Sequence, residues 1–150
     1  MRKLLAIPIL TLTLLTPTTA QAQNQDHQPA LRPSKTIPSD LEKRCPQWHH
    51  KFREYGLPVT IFSYIAWRES RCRPNAINAR FNKQGQVVWT LNRDGSIDRG
   101  LIQVNSTWKT VTSKVCKAPY GQMDVLFNVD CNLAVARYLL QNGGLGHWGM

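Results

Sequence analysis

Acidic side chains are scarce in this chain. Nine Asp and Glu stand against 19 Lys and Arg in 150 residues, a formal charge of +10 with histidine neutral. An excess of this size favours an anionic partner: nucleic acid, a membrane surface or an anionic wall polymer. No recognised nucleic-acid-binding motif is present. There are no internal repeats, which excludes solenoid and propeller arrays. No two cysteines are spaced as a close C-x-x-C pair, so a zinc site is not expected. The apolar run Leu4–Leu15 is too short, and too rich in Thr and Pro, to span a bilayer well.

That run has another use. Arg2 and Lys3 precede it, and Ala20-Gln21-Ala22 is a small-residue cleavage site. Residues 1–22 therefore read as a signal peptide, with an uncleaved anchor as the alternative. The mature chain is expected to be exported, periplasmic or extracellular, with no stable membrane insertion after cleavage. It keeps 17 basic and nine acidic residues, +8. Export turns the expectation away from nucleic acid and toward a wall polymer or membrane surface. The blander reading is a basic surface that serves solubility. Residues 23–40 (QNQDHQPALRPSKTIPSD) are polar, Pro-bearing and without period, and read as a flexible lead. The folded domain is then 41–150, enough for one modest core that gains from covalent staples.

Four cysteines remain: Cys45, Cys72, Cys116 and Cys131. An even number in an exported chain implies two disulfides, with three pairings open. Cys45 lies just ahead of the first helical segment and Cys131 opens the last. That placement favours Cys45–Cys131 with Cys72–Cys116.

The stretch Ile61–Pro74 (IFSYIAWRESRCRP) reads as a helix, with Pro58 suited to its first turn and Pro74 beyond its end. Phe62, Ile65, Ala66 and Glu69 share one face, so Glu69 continues an apolar stripe. Partial burial and the negative end of the helix dipole both favour its neutral form and raise its pKa. A carboxylic acid that keeps its proton near neutral pH is what a general acid must be. The competing reading is a Glu at the rim of the core, paired with Arg68, Arg71 or Arg73.

Cys45–Tyr55 reads as a short helix whose Trp48, Phe52 and Tyr55 are core. His49 and His50 are adjacent and point apart, so they make no ligand pair. Turns at Asn82–Gly85 and Asn92–Gly95 bracket the β-branched, aromatic run Gln86–Leu91, and predict a small antiparallel meander ending near Asp98. A calcium loop centred on Gly95 fails, because Thr90 and Leu101 would fill positions that need acidic ligands. Leu101, Ile102 and Val104 are expected to point inward, Lys109–Val115 to continue as helix, and Val129–Asn142 to form a clear helix ended by Gly143-Gly144.

Glu69 and Asp98 lie on either side of the meander, which can fold back and set them across a groove. Two facing carboxylates are the equipment for breaking a glycosidic bond. Asn92, Gln103, Asn105 and Trp108 are the polar and flat groups that grip a sugar. Asp94, placed before Gly95, is ordinary turn chemistry.

The segments RES (68–70) and NRDGSIDRGLIQVNSTW (92–108) resemble the lysozyme-like superfamily, which holds both animal-type lysozymes and single-domain lytic transglycosylases of secretion and conjugation systems. The likeness covers about Cys45 to Trp148, and includes Asp130-Cys131-Asn132 with the helix that follows. It implies an α+β, mainly α lysozyme-like fold with a small antiparallel sheet flanking the cleft. It also implies Glu69 as catalytic acid and Asp98 at the second carboxylate position. Ser70, Asn92, Gln103, Asn105 and Trp108 fall at substrate-binding positions. The Cys45–Cys131 pairing is likewise what the transglycosylases suggest. No metal or organic cofactor is implied. The implied partners are peptidoglycan glycan strands and, where such enzymes serve one, a secretion or conjugation apparatus.

The implied reaction is cleavage of the MurNAc-β-1,4-GlcNAc bond by a lytic transglycosylase. A muramidase is the alternative, and a non-catalytic cationic wall-binding protein is a third reading. Two departures stand out. The segment between Glu69 and Asp98 is longer than in animal lysozymes, with Phe81–Val88 as the insertion. The Tyr-containing segment that lines the site in many transglycosylases has no counterpart before Met150.

Overall fold

A computed structural model describes residues 31–89 and 92–150. The expected signal peptide (1–22), residues 23–30 of the expected lead, and Thr90 and Leu91 of the expected strand lie outside the described residues. Within the rest of the lead, Leu31 and Ile37 pack against the core.

The first expected helix is split. Pro46–Trp48 forms a 3-10 turn, and helix α1, His49–Glu54, follows it. Phe52 is buried, while Trp48 and Tyr55 are only partly so. Gly56, at φ +60, turns the chain into helix α2, Val59–Ser70. Helix α2 stops four residues before Pro74. Its cap is Arg71 at φ 52, with Cys72 also left-handed at φ 64. The Arg71 and Cys72 N–H groups return to the Trp67 and Ala66 carbonyls at 3.0 and 3.2 Å. These bonds satisfy two of the helix's last acceptors without the glycine that usually signals such a cap.

One face of α2 (Ile61, Phe62, Ile65, Ala66) and one face of helix α4, Val129–Gly143 (Leu133, Ala136, Leu140), belong to one core, with α1 packed on both helices. Leu101, Ile102 and Val104 enter the same core, as their apolar character predicts, and all three are buried. Helix α3, Lys109–Cys116, packs on α4.

The expected single meander is instead two separate antiparallel pairs. Strands β1 (Ala79–Phe81) and β2 (Val87–Trp89) form a hairpin closed at Asn82–Gln86. Strands β3 (Asp98–Arg99) and β4 (Val104–Asn105) pair Asp98 with Asn105 and Arg99 with Val104. Between β3 and β4 the chain is pulled into a turn against α4 rather than extended along β2. The Ile77–Arg99 bridge links β3 back to the segment ahead of β1.

The disulfides correct the expected pairing. Cys45 bonds Cys72 and Cys116 bonds Cys131, at Cα separations of 5.5 and 5.3 Å; Cys45–Cys131 and Cys72–Cys116 do not form. Both bonds are local to a helix end. Cys72 sits in the left-handed cap of α2, where Cys45 arrives, its N–H bound to Ser63 Oγ at 2.8 Å. Cys116 ends α3 and Cys131 opens α4. The first and last helices are neighbours, as the expected pairing assumed. They are joined by an ionic contact, Lys51 Nζ to Asp130 Oδ1 at 2.7 Å, rather than by sulfur.

Candidate active site

Glu69 stands in the last turn of α2, one turn beyond the buried Ile65 and Ala66. Its side chain is 21% exposed. Of its three candidate arginine partners, Arg68 is the one bonded to it. Arg68 Nε and Nη2 donate to the same oxygen, Glu69 Oε1, at 2.9 and 2.5 Å. Glu69 is therefore both a cleft carboxylate and an ion-pair partner, two readings that the sequence set against each other.

Across the cleft, Asp98 opens β3. Asn92 Nδ2 donates to its Oδ2 at 3.0 Å and Asn105 Nδ2 to its Oδ1 at 2.7 Å. Both amides also donate to Ser96 Oγ, at 3.1 and 2.8 Å. The Asp98 N–H donates to Asn78 Oδ1 at 2.7 Å. The DGSxDxG stretch thus folds around its own carboxylate, with Asp94 confined to its turn, where it accepts from the Ser96 N–H. Hydrogen bonding from the Ser96 side chain, and then from its backbone N–H, lowers the Asp94 pKa.

The turn after Asp98 is shaped by α4. Gly100, at φ +83, lies so close to α4 that a Cβ there would meet Asn132 Nδ2 at 2.2 Å and the Leu126 carbonyl at 2.3 Å. Buried Asn132 accepts from the Ile102 N–H at 3.0 Å and donates to the Arg99 carbonyl at 3.1 Å. One amide therefore clips both arms of the turn to the helix.

Glu69, Asp98, Gln103, Asn105 and Trp108 line one cleft of about 310 Å³, together with His147 and Trp148. Asn92 reaches it only through Asp98. Gln103 is largely buried, and its Nε2 holds the Ala76 and Gly100 carbonyls at 3.0 and 2.9 Å. Ser70 does not line the cleft: it is fully buried, with its hydroxyl bonded to the Ala66 and Leu101 carbonyls, so it ties α2 to the turn.

Sequence reasoning missed His147 and Trp148 as cleft residues. They sit on a 3-10 turn, Gly144–Trp148, that follows α4 and forms a wall of the cleft. The His147 ring meets Trp108 edge-on at 5.2 Å and Trp148 at 5.9 Å. Its only advance signal was an aromatic pair after a helix-ending Gly-Gly. His49 and His50 are elsewhere, with His49 Nε2 2.9 Å from Ser63 Oγ. Among the described residues no group of three or more His, Cys, Asp or Glu side chains is placed to hold a metal.

A mainly helical lysozyme-like fold, with small antiparallel strand pairs and two carboxylates in one cleft, defines a class of glycan-cleaving proteins. Residues 46–144 match the transglycosylase SLT domain, and the chain belongs to that family. Family members are lytic transglycosylases, enzymes that act on peptidoglycan outside the cytoplasm. A search of curated proteins finds no match to the chain. No described helix is long and apolar enough to cross a membrane.

Proposed function

We propose that this protein cleaves the MurNAc-β-1,4-GlcNAc bond as a lytic transglycosylase, with Glu69 as general acid and then general base. The observation that carries this reading is the placement of Glu69 and Asp98 in one cleft with Trp108, within a transglycosylase SLT domain. Glu69 gives its proton to the glycosidic oxygen as the bond to the anomeric carbon breaks. Asp98, held by two amides, stabilises the positive charge at that carbon. The muramic acid 6-hydroxyl then attacks the anomeric carbon, and the Glu69 carboxylate takes its proton. The proton lost in the first step is regained in the second, and no water is consumed. Asn92 and Asn105 act through Asp98. Trp108, backed by His147, offers the apolar surface for a sugar ring.

Export of the mature chain belongs to the same reading, and its positive charge favours association with an anionic wall. A muramidase is the second reading. The pair of carboxylates in the cleft is compatible with it as well, because Asp98 can also serve a water-attack route; the SLT domain is what favours the transglycosylase.

Glu69→Gln tests the assignment. It keeps the shape and the Arg68 contact but has no acid to donate. Release of soluble fragments from purified sacculi is expected to fall about 10²- to 10⁴-fold with binding retained. A Glu69→Gln protein as active as the wild type would remove Glu69 from the chemistry.

A further inference from the structure

We infer that Arg68 is the positioning residue for the catalytic carboxylate, and that the turn after α4 acts on Glu69 through it. The inference rests on the Glu69 reading above. Adjacent residues on a helix point about 100° apart, so 68 and 69 do not ordinarily face each other. Here the Arg68 side chain folds back, and two of its donors converge on Glu69 Oε1. A guanidinium has donors and no acceptor, so Oε1 can only accept there. The proton that Glu69 delivers is therefore carried on Oε2, which accepts no hydrogen bond from the described residues. The fork thus decides which oxygen does the chemistry.

The same guanidinium holds the wall of the cleft. It donates to the Trp148 carbonyl, and its Nη1 lies 3.2 Å from Met150 Sδ. It also sits over the Tyr64 ring at 5.9 Å. Trp148 is seated in turn by its indole N–H on the Ile102 carbonyl at 3.2 Å, and by an edge contact with Phe62 at 5.1 Å. One side chain therefore links the acid to the turn that carries His147 and Trp148, both of which line the cleft. A purely structural role would only staple that turn to α2 and leave turnover intact.

The test compares wild type, Arg68→Ala, Arg68→Lys and Glu69→Gln on soluble peptidoglycan strands, with folding followed by thermal unfolding. Arg68→Ala is expected to lose about 10- to 100-fold in kcat with KM changed less than about threefold. Added guanidinium ion at about 10–50 mM should restore part of that kcat, where ammonium at the same concentration does not, because only guanidinium reproduces the planar fork. A folded Arg68→Ala protein with wild-type kcat, or one that guanidinium cannot rescue, overturns the inference. If Arg68→Ala does not fold, Arg68→Lys decides. It keeps the charge without the fork, and wild-type kcat in that protein overturns the inference. A fully active Glu69→Gln protein removes instead the reading on which the inference rests, whatever Arg68 does.

Discussion

At Gly100 one added methyl group would collide with Asn132 and with the Leu126 carbonyl, in a backbone conformation that side chains rarely adopt. Neither neighbour is the free end of a flexible side chain: Asn132 is buried and holds two backbone groups of the turn, and Leu126 presents main chain. Gly100→Ala is expected to cost about 3 kcal/mol or more, read as a lower midpoint in denaturant unfolding. It should also impair cleavage, because Asp98 and Gln103 flank the displaced turn. Wild-type stability would show that α4 can yield. Single residues like this were visible in the sequence only as a motif. The DxGLxQ spacing could be recognised, but not its cause, because the group that requires the glycine lies on a helix some 30 positions later. The burial of Ser70 was hidden for a related reason, that its neighbour Glu69 is in the cleft. The helix turns Ser70 away into the core, where it meets Leu101, a contact that helical spacing alone does not reveal.

Elements were more legible than residues. Helices α2 and α4 follow from apolar period and, for α4, from the Gly-Gly stop, while α3 was expected only as a continuation over Lys109–Val115. The end of α2 did not, because two non-glycine residues take the left-handed cap. Disulfide connectivity was not readable either, since it depends on which helix ends meet. With partners 27 and 15 positions apart, loop closure alone makes Cys45–Cys72 and Cys116–Cys131 worth about 3 to 4 kcal/mol each.

The α1–α4 contact carries a pH dependence. Lys51 first, then Tyr55, lower the Asp130 pKa, while Asp130 raises that of Lys51. A carboxyl with a lower pKa in the folded than in the unfolded chain stabilises above its unfolded value, near 3.8. That contribution is lost as the pH falls from there through the folded value. Asp130→Asn should therefore be less stable than wild type at neutral pH, and the gap should close below the carboxylate range. The effect will be small, because the pair is exposed and salt screens it. Thermal midpoints measured across pH check this. A gap that persists in acid would assign the loss to packing instead.

At the scale of the whole molecule, the fold class and the cleft's two carboxylates could be read before any coordinates, because both rest on local motifs, RES at the end of a helix and DGSxDxG at a turn and short strand, that resemble those of the lysozyme-like superfamily. The wall of the cleft could not. It is built from the turn after α4, which reaches back over α2 through Trp148 and the Arg68 guanidinium, and no local pattern announces such a return. The split of the meander escaped for a similar reason, since α4 draws the segment between β3 and β4 out of the sheet.

How the cleft ends its reaction is decided by what attacks the anomeric carbon, and the product records it. The measurement is mass spectrometry of soluble fragments released from purified peptidoglycan by the wild-type protein. The account predicts fragments one water lighter than hydrolysis products, ending in anhydromuramic acid. Fragments ending in reducing muramic acid would contradict it, identify a muramidase, and give Asp98 the larger part in the chemistry.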